Sequence, residues 1–594
     1  MEYTTPTLFP LWGELRKYKI SSLRPDLTAA LSTALIALPQ AMAYAFVADL
    51  PTSTGIFATI FGTIFTAAFG SSSALISGPT NLVAILLQSG IVDILYTFYP
   101  EAVGSTRDAH SMQILLQIVL FVGLFQIIGG IFHLGRLTQF PSRSAIIGYL
   151  AAAAAAIAIS QCYYFFGIPE VSGHHPLYEQ GWLLLSRLDK THLPTLLLGL
   201  VSLILLLFLP KISRRLPSAV IVFVLAAVAA ALFNLAPQGA RGIFDVLPNE
   251  KIEKVTLLSD VGPLYSELPH IAWPIFEWRL LVKILPLAFA IALLSALEVT
   301  TIGRRYASLK PPLYSDSQEI YGLGISNFLT AFLGAMPSSG SFSRSVVNVE
   351  SGAKTRLAAI FSGIFLFIIT LALGFLVTKI PLVALSALLL LTAFSMVDYN
   401  SLLLCLKATK ADTFVVIATF AAGLLFPLDV ALYVGILLSI ALYFKQVSVP
   451  LLVEYTFTSI GKLRPMESGD ARPDPRISIV HIEGELFFGA AEELVMKIST
   501  LAEEENLQVL ILQIINARHI DASICLALQH VDALLRANTR ILLISSVSPQ
   551  VEQVMEKSGL AEVIGRDRLF MSNDRVPSEP TRLAYAYAKK IVSG

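Results

Sequence analysis

Ser77-Gly78-Pro79-Thr80-Asn81 and Pro337-Ser338-Ser339-Gly340-Ser341-Phe342-Ser343-Arg344 are the two stretches whose reading decides the fold. Each sets glycine, proline and hydroxyl side chains at the start of an apolar run, where a spanning helix would otherwise be continuous. Irregular backbone at membrane depth is tolerated only where it is buried in protein or lines a cavity. Counting apolar runs outward, the first stretch opens the third segment and the second opens the tenth. Interrupted segments at matching places in two halves point to a transporter site. Seven segments separate them, and an odd repeat puts the two halves in opposite orientation. Facing each other, two such helix starts would aim their free N–H groups at one point, and an anion is the natural guest there.

Composition supports the membrane reading. Of 594 residues, 55% are hydrophobic and 14% charged, against about 25% charged in soluble domains. Of the 42 basic and 42 acidic residues, 15 and 19 fall after position 450, so the last quarter has the composition of a soluble domain. A cytosolic enzyme, a disordered chain and a secreted disulfide scaffold are excluded. Zero net charge removes the electrostatic case for nucleic acid. Cys162, Cys405 and Cys525 are far apart and the histidines show no ligand spacing, so neither a disulfide framework nor a metal site is expected.

Fourteen apolar segments are expected, at 27–46, 55–69, 81–94, 114–131, 145–166, 196–209, 219–232, 281–297, 325–336, 346–351, 357–377, 382–394, 414–425 and 428–443. Several are shorter than the ~20 residues of a straight span and are expected to be broken or extended by polar turns. Pro39 is expected to interrupt the first. The opening residues to Arg24 do not read as a signal peptide. Lys and Arg recur in alternate short loops: Arg16, Lys17, Lys19 and Arg24; Arg136 and Arg143; Lys211, Arg214 and Arg215; Arg304, Arg305 and Lys310; Lys354 and Arg356; Lys407 and Lys410; and Lys445. By the positive-inside rule these loops and both termini are cytoplasmic. Arg107 and Lys379 are single exceptions on the other side.

Candidate anion-binding groups are the backbone N–H groups of Thr80, Asn81, Ser343 and Arg344, with the side chains of Thr80 and Ser343. Arg344 is the only cation near either interruption; the alternative is an arginine that reaches an interface or pairs with an acid. Gln40 and Tyr44, four apart, share one helix face; Gln40 offers donors and acceptors, and Tyr44 either shapes the pocket wall or is plain packing. Glu298 lies in a spanning segment, where an acid must face a cavity, pair with a cation or take a proton. It is read as the coupling residue, the alternative being a fixed partner for Arg304, Arg305 or Arg344.

After a linker, 477–487 reads as a strand, 490–504 as a helix, 509–515 as a buried strand, 523–537 as a helix, 540–545 as a strand and 550–558 as a helix. This alternation implies an α/β domain with a largely parallel sheet. No glycine-rich phosphate loop appears, so no nucleotide cofactor is expected. Asp521 or Ser523 is placed at a helix N-cap.

The chain resembles the sulfate-permease (SulP) family of anion transporters over nearly its whole length. The resemblance rests on Pro39-Gln40-Ala41-Met42-Ala43-Tyr44-Ala45, Ser77-Gly78-Pro79, Ser341-Phe342-Ser343-Arg344-Ser345 and Ser351-Gly352-Ala353-Lys354-Thr355. Its C-terminal part is similar to a STAS domain. The resemblance implies a 7+7 inverted repeat split into core and gate domains, an anion site between the third and tenth helices, elevator-like alternating access and a homodimer. Glu298 matches a family position that is acidic in cation-coupled members, and a glutamate there favours protons over sodium. Ser523 falls where some STAS domains carry a phosphorylatable serine, although the loop lacks the usual glycine.

The expected domains are a cytoplasmic N-terminus (1–24), a transmembrane transporter domain (25–446), a linker (447–476) and the STAS domain (477–594). The expected function is secondary transport of a small inorganic anion, sulfate or bicarbonate, coupled to protons, in the plasma (bacterial inner) membrane. The STAS domain is a candidate docking site for a cytoplasmic protein. The alternatives are a nucleobase or dicarboxylate carrier of the same fold, or a non-transporting sensor that works through its STAS domain.

Overall fold

Apolar runs bounded by glycine, proline and charge fold into helices that satisfy their own backbone, as a bilayer requires. The computed structural model describes residues 9–16, 18–102, 104–135, 141–169, 176–212, 218–233, 255–258, 271–307, 314–377, 379–458, 462–467, 470–484, 486–517, 519–573 and 576–593. Of the loop cations above, Lys17, Arg136, Arg214, Arg215 and Lys310 lie outside these residues. Two units result, residues 1–439 and 440–594.

Fourteen helices correspond to the expected segments: α1 (Leu23–Val47), α2 (Thr52–Phe69), α3 (Asn81–Phe98), α4 (Ser105–Ile131), α5 (Arg143–Phe166), α6 (Leu193–Ile212), α7 (Ser218–Leu232), α8 (Leu281–Ala307), α9 (Asp316–Ala331), α10 (Phe342–Glu350), α11 (Leu357–Val377), α12 (Leu382–Met396), α13 (Lys410–Leu425) and α14 (Leu428–Val447). Among the described residues, nine helices are long and apolar enough to cross a membrane, and α7 and Leu357–Ala372 are shorter apolar helices. Two-residue strands β1 (Ser77–Gly78) and β2 (Ser339–Gly340) precede α3 and α10. Short helices Leu11–Leu15, Leu177–Leu185 and Tyr399–Ala408 lie between or before the spans.

The packing repeats with a period of seven helices. α4 lies along α9 as α11 lies along α2; α8 along α4 as α1 along α11; α3 along α8 as α10 along α1; and α12 along α6 as α5 along α13. Each of these four contacts therefore has a counterpart between helices seven places away, which is the 7+7 repeat. Helices α1–α4 and α8–α11 form one packed group, and α5, α6, α7, α12 and α13 another.

Three expectations about the helices are corrected. Pro39 lies inside α1, which continues through it to Val47. Pro39 removes one N–H, but tight packing holds the turn, since Ala34, Ala37 and Ala41 are essentially inaccessible. α9 runs from Asp316 to Ala331 rather than 325–336, because Ser315 caps it by accepting from the Gln318 N–H. α10 begins at Phe342, four residues earlier than its apolar run, since the polar Arg344 and Ser345 of its first turn are buried in protein instead of facing lipid.

The second unit holds β3 (Leu451–Phe457), β4 (Leu463–Pro465), β5 (Ile477–Glu483), β6 (Val509–Gln513), β7 (Ile541–Val547) and β8 (Leu569–Met571), in the order β4-β3-β5-β6-β7-β8. Its helices are α15 (Ala491–Leu501), α16 (Ala522–Ala537), α17 (Pro549–Lys557), α18 (Leu560–Ile564) and α19 (Glu579–Ser593). β5 to β8 pair in parallel, and β3 pairs antiparallel with β4 and β5. Leu510, Leu512, Leu542 and Ile544 face the core shared with Leu494, Ile498, Leu528 and Val531. Ile477, Ile479, Val509, Ile511 and Leu543 pack on Ala584 and Ala588 of α19. The segment expected to be linker thus supplies two strands. Their half-exposed residues give no alternation to read, because β3 lies near the sheet edge with most side chains partly solvated.

Candidate functional site

Both interruptions are non-helical at their glycines, and they meet. Ser77 pairs with Gly340 and Gly78 with Ser339 in one antiparallel bridge. Ser341 donates its N–H to the Ile76 carbonyl at 2.9 Å, and Ile76 donates its N–H to Ser345 Oγ at 2.9 Å. α3 and α10 then start at Thr80 and Ser341, each in extended backbone and with no side-chain cap. Thus the sequence places two uncapped helix starts beside a single strand pair, each carrying partial positive charge.

Glu298 of α8 binds this junction. Its Oε2 accepts from Thr80 Oγ1 at 3.1 Å and from Ser339 Oγ. One carboxylate oxygen therefore joins the residue that opens α3 to the strand that precedes α10. Ser339 Oγ also lies 3.4 Å from the Ser295 carbonyl. The fixed cationic partner considered for Glu298 is not found among the described residues. Arg304 pairs with Asp316 at 2.5 Å, Arg305 sits over the Phe342 ring at 4.9 Å, and Arg344 turns to a carbonyl.

Arg344 is 0% exposed. Its Nη2 donates to the Pro79 carbonyl at 2.8 Å, while Nε and Nη1 have no hydrogen-bond partner. Gly78 makes room for it: φ there is +139°, and an added Cβ would lie 2.8 Å from Nη1. Only glycine accepts both that conformation and that contact. A buried guanidinium with spare donors is a strong local source of positive potential.

The other candidates divide. Tyr44 is buried and within electrostatic reach of Arg344 and Glu298. Gln40 Oε1 and Asn81 Oδ1 are buried without partners. Ser343 is exposed and is not among the side chains that reach Glu298; its neighbours Ser341 and Ser345 turn inward instead. Tyr149 of α5 is 0% exposed with its hydroxyl unpartnered, and it senses the charge of Glu298.

A buried relay holds the second interruption. Asn327 of α9 accepts the Ser338 N–H at 2.7 Å and donates to the Ser338 carbonyl at 3.1 Å. It also donates to Gln126 Oε1 at 2.9 Å, and Gln126 donates to Ser295 Oγ at 2.7 Å. Ser339, Asn327, Gln126 and Tyr149 carry no distinguishing signal in the sequence. Polar residues scattered in apolar runs show their common target only after the helices pack.

In the second unit Asp521 caps α16, accepting from the Ile524 N–H at 3.0 Å, and also accepts from the Phe488 N–H at 2.6 Å. Ser523 is half-buried in the first turn of that helix and does not cap it.

An inverted seven-helix repeat with interrupted third and tenth helices at one junction defines a polytopic membrane protein of secondary-transporter architecture. Residues 23–419 match the Sulfate permease family model and 470–575 the STAS domain model. The chain belongs to the sulfate permease family and carries a C-terminal STAS domain. It is 24% identical to "Putative sulfate transporter YvdB" of Bacillus subtilis (strain 168), over 95% of this chain and 99% of that protein. It is 27% identical to "Sulfate transporter 4.1, chloroplastic" of Arabidopsis thaliana, over 95% and 81%. Its fold is similar to murine Solute Carrier 26 family member A9, an anion transporter in the inward-facing state (TM-score 0.84, 20% identity, 98% and 94% covered). It is also similar to the transmembrane domain of the cyanobacterial bicarbonate transporter BicA (TM-score 0.56, 21% identity, 71% and 98% covered).

Proposed function

We propose that the chain carries a small inorganic anion, sulfate first and bicarbonate second, together with a proton. The anion would bind at the starts of α3 and α10, contacted by Thr80 and Asn81 and drawn by Arg344, with Gln40 and Tyr44 forming the wall. Glu298 would carry the proton. The observation that supports this most directly is the single carboxylate oxygen that takes hydroxyls from both interruptions while a fully buried guanidinium beside it keeps two nitrogens unpartnered. A dry site makes each of those groups act more strongly than in water.

The two packed helix groups support elevator-like alternating access, the group bearing the site moving against the other. A homodimer in the plasma membrane with both termini cytoplasmic, and regulation through Ser523 or a protein bound to the STAS domain, complete the reading. The names of the relatives in Bacillus and Arabidopsis support putting sulfate ahead of bicarbonate.

Uptake of labelled sulfate into proteoliposomes tests this. An inward proton gradient should accelerate uptake, an inward sodium gradient should not, and Glu298→Gln should remove the acceleration. Gradient-driven uptake that survives Glu298→Gln overturns the coupling role. Arg344→Met should weaken sulfate binding about tenfold or more, the scale of a lost hydrogen bond to a charged group; unchanged affinity by calorimetry reduces Arg344 to a structural residue.

A further inference from the structure

The hydroxyls of Thr80 and Ser339 are shared property. In the ionised state of Glu298, its Oε2 accepts both of them. Thr80 is also the residue that opens α3, and its side chain makes no cap to its own helix. Its single hydroxyl hydrogen is therefore committed either to the carboxylate or to whatever occupies the helix start. Ser339 has a second acceptor ready, the Ser295 carbonyl at 3.4 Å.

Resting on the transport reading above, we infer that Thr80 and Ser339 form a hydroxyl switch through which a proton on Glu298 raises affinity for the anion. A proton from the aqueous side adds to Oε2. The new O–H donates to the Ser339 oxygen, and the hydrogen that Ser339 gave to Glu298 turns to the Ser295 carbonyl. The carboxyl group is now a poorer acceptor, and Thr80 Oγ1–H turns to the anion at the start of α3. One proton enters, no other hydrogen is gained or lost, and a negative charge that would repel the guest is removed. When the proton leaves, Oε2 recaptures both hydroxyls and the anion loses a donor. Proton and anion are thereby bound together and released together, as symport requires.

The neighbours leave Glu298 as the group that titrates. Among the described residues, the titratable and charged groups within electrostatic reach of it are Arg344 of α10, Tyr44 of α1 and Tyr149 of α5. Tyrosine and arginine side chains do not ordinarily change charge between about pH 6 and about pH 8. Arg344 holds the Pro79 carbonyl, next to Thr80 in the chain, so the backbone that carries the switch stays in place while the hydroxyl turns.

Binding of labelled sulfate to the full-length chain, measured between about pH 6 and about pH 8, tests the switch. In the unaltered chain affinity should fall as pH rises, by up to about tenfold per pH unit, the limit for one linked proton. Thr80→Val should bind more weakly at low pH and lose most of that slope, and Ser339→Ala should flatten it. Thr80→Ser, which keeps the hydroxyl, should restore both affinity and slope. Glu298→Gln should bind as the unaltered chain does at low pH, at every pH. A native slope in both Thr80→Val and Ser339→Ala overturns the switch, and so does failure of Thr80→Ser to restore it. No sulfate binding by the unaltered chain, or a native slope in Glu298→Gln, overturns the transport reading beneath it instead.

Discussion

The two interruptions are related by the repeat, yet they are built from different materials. The first, at Ser77–Thr80, is held mainly from outside its own half: Arg344 takes the Pro79 carbonyl and Ser345 accepts the Ile76 N–H, both from α10. Its own half adds Thr63 Oγ1, which donates to the Ser77 carbonyl at 2.6 Å. The second, at Ser338–Ser341, is held mainly from its own half, by Asn327 and by Glu298 and Ser295, which accept from Ser339. The first half adds the Ala58 carbonyl, which accepts from Ser338 Oγ at 3.2 Å, and the Ile76 carbonyl, which accepts the Ser341 N–H at 2.9 Å. Both charges at the junction, Glu298 and Arg344, therefore come from the second repeat. The lesson is that a repeat can preserve backbone geometry while one copy collects the chemistry. The first repeat supplies a helix start, the Thr80 hydroxyl and the space at Gly78.

Substitutions on the two sides can break or sharpen that contrast. The largest effect should come from Glu298→Gln, which removes the charge and with it all proton-driven sulfate accumulation; a matching effect from any acid of the first repeat would erase the asymmetry. Asn327→Leu should follow. It strands both backbone groups of Ser338 and one group of Gln126 in a dry interior, a loss of about 2–5 kcal/mol, read as a lower thermal midpoint of the detergent-solubilised chain. Gly78→Ala should cost about 1–3 kcal/mol through its left-handed φ and also displace Arg344, so sulfate affinity should fall along with stability. The smallest effect should be Thr63→Val, about 1 kcal/mol for one hydroxyl-to-carbonyl bond, with sulfate affinity nearly native. If Thr63→Val proves as damaging as Asn327→Leu, the two interruptions are supported equally and the contrast fails.

Legibility followed the physics of each feature. The helix count and the two interruptions could be read because lipid demands long apolar runs and glycine-proline-hydroxyl clusters violate that demand conspicuously. Glu298 stood out because an acid in such a run is rare. Pro39 misled, since a proline signal does not show that neighbouring alanines pack closely enough to keep α1 continuous. Ser343 could not be told from its neighbours. Ser341, Ser343 and Ser345 are equivalent in composition, but successive helical positions turn by about 100°, so two of them point inward and the middle one does not. The strands β3 and β4 were hidden because a partly solvated edge has no apolar alternation.

By itself, the sequence determined that this chain is a membrane protein of two seven-helix halves with a soluble α/β tail, and that its third and tenth helices are broken at polar residues. These are consequences of local chemistry, since the cost of burying backbone and charge in hydrocarbon is imposed residue by residue. Only the tertiary structure decided that one oxygen of Glu298 gathers Thr80 and Ser339, that Arg344 serves the other repeat, and that Asn327 and Gln126 hold the junction. Those partners are tens to hundreds of residues apart, and the rotation and depth of each helix, set by packing against its neighbours, chose which polar groups would meet.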